Sequence, residues 1–260
     1  MGPRRKVALL VIACLTAVAA VAVVAWLSRP SDEPRKATVN DAVRSFRAEG
    51  GSEKRRGGRV DEVPLGVYRY ATSGSESVKG AGFGTTHDYG GVSTITISSG
   101  RCGQRERWQV LVERWTESEA CAGQHGSGSV RLIQLHEFFG EEKRDSFLCH
   151  GPAGREASQP GARYSSACGS SGSSISTTTN VFGSRKLSVG GQEYEAVGTV
   201  SRSVLKGDTS GTSSREEWRR RSDGLLLSRW SQTEADTSGG GGSHYSERYT
   251  LRLLSTTPRR

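Results

Sequence analysis

The sequence predicts a mainly β protein: a curved antiparallel sheet or half-barrel of about eight to ten strands, following an N-terminal transmembrane helix. Three features lead to this prediction: one long apolar run near the N-terminus, two-residue hydrophobic periodicity after residue 63, and polar Gly- and Ser-rich connections. Hydrophobic residues make up only 33% of the 260-residue chain. Such a low content excludes a multi-span membrane protein and a large α/β enzyme core.

The apolar run at 7–27 is long enough to cross a membrane. It carries no charge, and a helix of its length spans about 31 Å at about 1.5 Å per residue, close to the thickness of a bilayer core. Arg4, Arg5 and Lys6 precede the run, which favours a cytoplasmic N-terminus. We therefore predict a cytoplasmic head at 1–6, a transmembrane signal anchor at 7–27, and a single-pass cell-membrane protein whose C-terminal domain lies outside the cytoplasm.

Two other interpretations of the apolar run stay open. It is also compatible with a cleaved secretory signal, because its Ala-rich stretch offers small residues to a peptidase. Alternatively, Cys14 is lipidated, since the segment VIAC at 11–14 resembles a short lipobox.

Residues 28–62 are predicted to form a flexible linker. They contain Pro30, Pro34 and a basic patch at 54–59, and they have few apolar positions. The linker would hold an extracytoplasmic β domain, predicted at 63–258, away from the membrane.

Alternation with a period of two continues through the predicted β domain. It is cleanest at 244–254, where Tyr245, Tyr249, Leu251 and Leu253 fall on one face. Asp223-Gly224 predicts the tight turn of a hairpin. Polar connections are predicted at 73–86, 122–129, 169–176, 207–214 and 236–243, and residues 150–176 are expected to form a loop.

Four cysteines beyond the apolar run predict two disulfides, since an even number is typical of exported proteins. Equal separations of 19 residues favour the pairs Cys102–Cys121 and Cys149–Cys168. Each bond would close a loop of about 20 residues, worth roughly 3 kcal/mol in the chain-entropy treatment. The alternative is a zinc site with four thiolates, although the cysteines lack the closely spaced pair that such sites use.

The sequence contains no recognisable catalytic constellation. The segment HEFFG at 136–140 begins like a zinc-protease helix, but Gly140 occupies the place of the second histidine, and the segment lies in a strand pattern. His136 is therefore interpreted as an ordinary strand side chain. We expect no enzymatic activity, no cofactor and no metal, although a hydrolase with an unrecognised site stays a third hypothesis beside the two given below.

The net charge of +9 suggests that an exported surface attracts anionic envelope components. The candidates for such a patch are Arg202, Arg219, Arg220, Arg221, Arg248 and Arg252. The alternative is that these arginines alternate with acidic residues on solvated strand faces. Nucleic acid is not an expected partner of an exported chain.

Several short motifs lie within the predicted β domain. They are GVYRYATSGSE at 66–76, Cys102-Gly103 with Arg107-Trp108, HEFFG at 136–140 with FLC at 147–149, SDGL at 222–225 and YSERY at 245–249. With these motifs, residues 64–258 resemble a group of uncharacterised anchored proteins of high-GC actinobacteria. The resemblance implies no activity and no site residues. The predicted architecture is also similar to half-barrel carriers of the LolA and mycobacterial lipoprotein type, which implies a curved sheet around a hydrophobic cavity.

Two functional hypotheses follow from these observations. The first is a non-enzymatic binding or interaction module of the cell envelope, whose partner is an envelope component or another protein. The second is a carrier of a lipid or other hydrophobic ligand. Its predicted ligand-facing residues are Trp108, Val110, Val112, Trp230, Tyr249, Leu251 and Leu253.

Overall fold

The computed structural model describes six stretches of the chain, which hold one helix and thirteen strands. These stretches are 33–50, 63–122, 127–139, 141–152, 159–237 and 242–260. Helix α1 covers Val39–Ala48. The strands are β1 (Gly66–Gly80), β2 (Phe83–Asp88), β3 (Gly91–Ser99), β4 (Gln104–Gln109), β5 (Arg114–Ala122), β6 (Ser127–Phe138), β7 (Glu141–Pro152), β8 (Arg163–Gly169), β9 (Ser173–Val189), β10 (Gln192–Gly207), β11 (Thr209–Arg220), β12 (Leu226–Thr237) and β13 (Ser243–Leu253).

Within these six stretches, no helix has the length and apolar character needed to cross a membrane. The predicted head at 1–6 and the predicted anchor at 7–27, including Cys14, lie outside the described residues.

Strand β1 closes the sheet because it pairs along both of its edges. On one edge, residues 66–72 pair with β3 and residues 75–80 pair with β2, so β2 and β3 follow each other along the same side. On the other edge, residues 70–80 pair with β13. The other strands pair antiparallel in chain order. Since β2 and β3 share one position, the result is a closed antiparallel barrel of 12 strands.

The mainly β, antiparallel character is confirmed, but the predicted half-barrel of eight to ten strands is wrong in strand number and in closure. Part of the difference lies in three stretches that were expected to be irregular, one of which, 207–214, falls largely in β11. Residues 73–86 belong largely to β1 and β2, and residues 150–176 contain β8 and the beginning of β9. Their Ser, Thr and Gly residues are typical of loops. A strand that lines a polar interior can, however, be polar on both faces, so it lacks the apolar alternation by which strands are recognised.

The pairing register decides which side chains face the interior, because directly opposed residues of antiparallel strands lie on the same face. Along β10, the half-buried Ser201 and Ser203 alternate with the exposed Arg202 and Val204. Opposed residues of successive strands therefore form rows around the inner wall, and we call each row a rung.

The hydrophobic core fills one end of the barrel. Trp108 on β4 stacks on Tyr249 of β13 with 4.4 Å between ring centroids, although β3 and β1 separate these strands in the sheet. The two rings therefore meet across the interior. Nearby, the hydroxyl of Tyr70 donates a hydrogen bond to the carbonyl of Leu226. The other fully buried members of this core include Tyr68, Tyr89, Ile95, Leu111, Leu225 and Leu251.

Helix α1 packs on the outside of this end of the barrel. Thr38 caps it by accepting a hydrogen bond from the backbone N–H of Asp41, and Phe46, 2% exposed, packs with Val67 of β1. The preceding Arg35 forms an ion pair with Glu113 in the β4–β5 turn. The region predicted as a linker at 28–62 thus includes a helix that is fastened to the barrel.

Both predicted disulfides are confirmed. Cys149 and Cys168 lie directly opposite each other on β7 and β8 and are bonded. Cys102, in the β3–β4 turn, is bonded to Cys121 of β5. Each bond therefore joins segments that the fold brings side by side.

Candidate functional site

One rung of the inner wall consists entirely of hydroxyl side chains. Direct pairing runs from β8 to β12 through five residues, which we call the hydroxyl rung. Its members are Ser166, Thr177, Ser203, Ser213 and Thr233. All five are half-buried, so solvent reaches them although they face the interior.

Hydrogen bonds between these hydroxyls run along the wall from strand to strand. Thr177 and Ser203 are 2.8 Å apart between their hydroxyl oxygens, and Ser213 and Thr233 are 2.9 Å apart. A hydroxyl can donate one hydrogen bond and accept two. The rung therefore keeps hydrogen-bonding capacity that points into the barrel.

A β-bulge places the hydroxyls of β9 on the inner face. The register between β9 and β10 shifts at Gly198/Thr199. Because a shift of one residue exchanges the two faces of a strand, the bulge turns Thr177 inward and Thr178 outward. The hairpin itself turns at Gly190 and Gly191, both in the left-handed region with φ of 58° and 83°, where glycine is favoured.

The next rung combines hydroxyls with a phenol and a guanidinium. Its members, which we call the mixed rung, are Tyr164, Thr179, Ser201, Arg215 and Ser231. The hydroxyl oxygens of Thr179 and Ser201 are 2.9 Å apart. Thr179 and Ser231 are buried. Burial raises the pKa of Tyr164, so its phenol stays protonated at neutral pH.

Below the mixed rung, four charged side chains form a closed network, which we call the charged layer. Glu217 accepts hydrogen bonds from Nε of Arg229 at 2.7 Å and from Nε of Arg219 at 2.9 Å. Glu106, on the far side of the barrel on β4, accepts from Arg229 at 3.0 Å and from Arg219 at 3.1 Å. These contacts cross the interior of the barrel and border the hydrophobic core, because Arg229 is directly opposed to Leu251 of that core.

The charged layer keeps both carboxylates ionised. Burial works to raise the pKa of Glu217, but the charges of Arg219 and Arg229 outweigh burial and hold this pKa far below its usual range. The pKa of Glu106 is lowered in the same way. Two carboxylates and two guanidinium groups leave the four-residue network without net charge.

A second buried cluster lies at the side of the barrel where β2 and β6 meet. Glu76 of β1 is fully buried and lies within hydrogen-bonding distance of three side chains. His87 approaches it at 3.3 Å, and His136 and Tyr245 each approach at 3.1 Å. Because an ionised carboxylate only accepts hydrogen bonds, Nδ1 of each histidine carries the proton. Burial works to raise the pKa of Glu76, but hydrogen bonds from both histidines and the nearby guanidinium of Arg114 lower it to about 2.

Arg114 links this histidine cluster to β13. Its guanidinium donates two hydrogen bonds to Glu247, at 2.8 and 3.1 Å, and Tyr89 donates a third to the same carboxylate at 2.8 Å. Glu247 lies opposite Thr233, so it ends the hydroxyl rung. The carboxylate of Glu247 is already engaged by Arg114 and Tyr89, so we assign it a structural role in the barrel wall.

The residues predicted to face a hydrophobic ligand lie in three different environments. Trp108, Val110, Tyr249, Leu251 and Leu253 are buried together in the hydrophobic core. Val112 is 40% exposed in the β4–β5 turn. Trp230 lies on the face of β12 opposite to the buried Arg229 and Ser231, under the guanidinium of Arg248. The structure therefore does not bring the seven together on one surface.

The candidate basic patch is also divided. Arg219 belongs to the charged layer inside the barrel, and Arg220 pairs with Asp223. Arg202, Arg248 and Arg252 are exposed elsewhere on the sheet, and Arg221 is exposed in the turn after β11.

In the part of the chain that the structure describes, one group of side chains has the spacing of metal ligands: Cys102, Glu119 and Cys121. The two cysteines are bonded to each other. A disulfide lacks the thiolates that bind metals, so this group has the spacing of a metal site but not its chemistry.

Sequence reasoning missed the polar rungs and the role of His136. The available signal was the alternation of Ser201 and Ser203 with Arg202 and Val204 in β10. In β9, residues 176–179 carry hydroxyls on both faces. Hydrophobicity-based reasoning treats such stretches as connections, because it looks for an apolar face.

No protein-family model matches the sequence, and comparisons with curated proteins and with solved structures gave no match. The resemblances to anchored actinobacterial proteins and to LolA-type carriers stay predictions. The geometry of the lumen is thus the main guide to function.

Proposed function

We propose that this protein is a non-enzymatic binding module of the cell envelope, and that it holds a small polar ligand against the hydroxyl and mixed rungs of its lumen. The observation that carries the proposal is the hydroxyl rung, a row of five inward-facing hydroxyls on five neighbouring strands. Convergent hydrogen-bonding groups in a concave site are typical of ligand recognition.

The size of the barrel supports this proposal. Barrels of about eight strands are just filled by side chains or hold one small ligand, whereas barrels of about 16 leave an aqueous channel. This barrel has 12 strands, and small Ser and Thr side chains line one end of it. These side chains are shorter than the aromatic ones of the core, and the proposal requires that they leave room for a ligand.

The pairing of the hydroxyls favours binding over catalysis. Thr177 pairs with Ser203, and Thr179 pairs with Ser201. A catalytic hydroxyl is normally activated by an adjacent general base. Hydroxyls that bond to one another are instead oriented as donors and acceptors. The two disulfides support a location outside the cytoplasm.

The proposal is tested by saturation-transfer NMR on the full-length chain in detergent. The probes are glucose as a hydroxylated ligand and decanoate as a hydrophobic one. We expect saturation transfer to glucose in the unmodified protein and a strong reduction in Thr177→Val, which removes an inward hydroxyl. The matched control is Thr178→Val, on the outer face of the same strand, which should bind like the unmodified protein.

Two results would overturn the proposal. One is equal transfer to glucose in both variants, since the lumen would then not be the site. The other is transfer to decanoate alone, which would favour the carrier of hydrophobic ligands.

A further inference from the structure

We infer that the ligand of the lumen carries an oxyanion, a carboxylate or a phosphate next to hydroxyl groups, and that Arg215 recognises it. This inference deepens the proposed function and rests on it. It starts from the position of Arg215 in the mixed rung, between Ser201 and Ser231.

Within the mixed rung and the charged layer, Arg215 has no acidic side chain of its own. In the charged layer, Glu106 and Glu217 are matched by Arg219 and Arg229. Arg215 adds a fifth charge, and its Nη1 lies 3.9 Å from Oε1 of Glu217. This distance is too long for a hydrogen bond, and the carboxylate already accepts two shorter ones. The five groups together carry one net positive charge.

The guanidinium of Arg215 also keeps hydrogen-bonding capacity. Its Nε–H is buried and has no hydrogen-bond partner among the described residues. A buried donor without a partner loses free energy, and a bound oxyanion would supply that partner. Arginine suits this role because its planar fork of N–H groups matches the oxygens of a carboxylate or a phosphate.

The neighbours of Arg215 define the rest of the ligand. Opposed residues on adjacent strands lie about 4.5–5.5 Å apart, so Ser201 and Ser231 are in reach of groups next to the anion. The hydroxyl rung begins one rung further along, at Ser203 and Ser213. A sugar acid or a sugar phosphate therefore matches the site in charge and in hydrogen bonding, whereas a fatty acid matches only the charge.

Isothermal titration calorimetry on the full-length chain in detergent tests this inference. The probes are glucuronate, glucose 6-phosphate and the neutral glucose, so that the carboxylate and the phosphate are distinguished. We expect at least one of the anionic probes to bind roughly tenfold more tightly than glucose, and this preference to be lost in Arg215→Gln.

Two further variants separate recognition from folding. Arg215→Lys keeps the charge without the fork, and should retain part of the preference. Arg202→Gln removes an exposed arginine from the outer face of β10, and should leave all three dissociation constants unchanged. Thermal unfolding of each variant confirms that the barrel is intact.

The outcomes distinguish the inference from the proposed function. The inference is wrong if glucose binds as tightly as both anions, or if Arg215→Gln changes the dissociation constants of the anions by less than about twofold. In either case, the proposed function as a binding module for a polar ligand is retained. If none of the three probes binds, the proposed function and the inference both fall.

Discussion

The two ends of the barrel interior have opposite chemistry. At one end, aromatic side chains meet across the interior, as Trp108 and Tyr249 do. At the other end, small hydroxyl side chains bond to the neighbouring strand, as Thr177 and Ser203 do. The charged layer borders the packed core, since Arg229 is directly opposed to Leu251. The comparison teaches that the packed core and the proposed binding surface occupy different parts of the lumen: one is filled by aromatic side chains, and the other presents hydrogen-bonding groups.

The largest effect is expected from a substitution in the hydrophobic core at the packed end. Trp108 is 2% exposed, stacks on Tyr249 and donates a hydrogen bond to Ser93. Trp108→Ala should therefore lower the free energy of unfolding by about 3–5 kcal/mol, the usual cost of such a cavity. Urea unfolding measures this loss. Trp230→Ala, on the outer face, should cost about 1 kcal/mol or less, and equal losses in the two variants would show that the core is misplaced.

The histidine cluster predicts a dependence of stability on pH. The pKa of Glu76 is about 2 in the folded barrel, below its ordinary value of 4.5. A lowered pKa contributes stability that is present above about pH 4.5 and is lost as the pH falls towards 2. At pH 7, Glu76→Gln should therefore lose roughly 3 kcal/mol of stability, from 1.36 kcal/mol per pKa unit.

Urea unfolding at pH 7, 5 and 3 measures this effect of Glu76. The gap between the free energies of unfolding of the unmodified protein and Glu76→Gln should be nearly the same at pH 7 and pH 5, and it should be smaller at pH 3. Glu142→Gln, an exposed residue, serves as the control and should show almost no gap. A gap that stays constant from pH 7 to pH 3 would mean that the charge of Glu76 does not contribute to the stability of the fold.

The smallest effect on stability is expected in the hydroxyl rung. Ser213→Ala removes one half-buried hydrogen bond, to Thr233, so we expect a loss of about 1 kcal/mol or less. Ser214→Ala, on the opposite face of β11, is the matched control. A loss of several kcal/mol in Ser213→Ala would show that this end is packed like the other, and would remove the contrast between them.

Local patterns predicted the strands that have one apolar face. The alternation of Tyr245, Tyr249, Leu251 and Leu253 identified β13 and the residues that face inward. The equal cysteine spacing identified both disulfides. Strands whose inner face is polar were harder to recognise, because the hydroxyls of β9 and β11 resemble those of surface loops.

Contacts between strands that are far apart in the chain determined the features that could not be predicted from local sequence patterns. His136 and Glu76 are 60 residues apart in the chain and meet only because β6 ends beside β2. Arg219, predicted for a surface patch, lies inside because it meets Glu106 at a separation of 113 residues. Similarly, the register shift at the bulge between β9 and β10 places Thr177, and not Thr178, on the inner wall.

By itself, the sequence determined the antiparallel β class and the two disulfides, since side-chain alternation and cysteine spacing are properties of the chain itself. Closure by β1 and β13, the polarity of the lumen and the charged layer were decided by the tertiary structure. The physical reason is that a strand has two faces, and only its partners determine which face is enclosed.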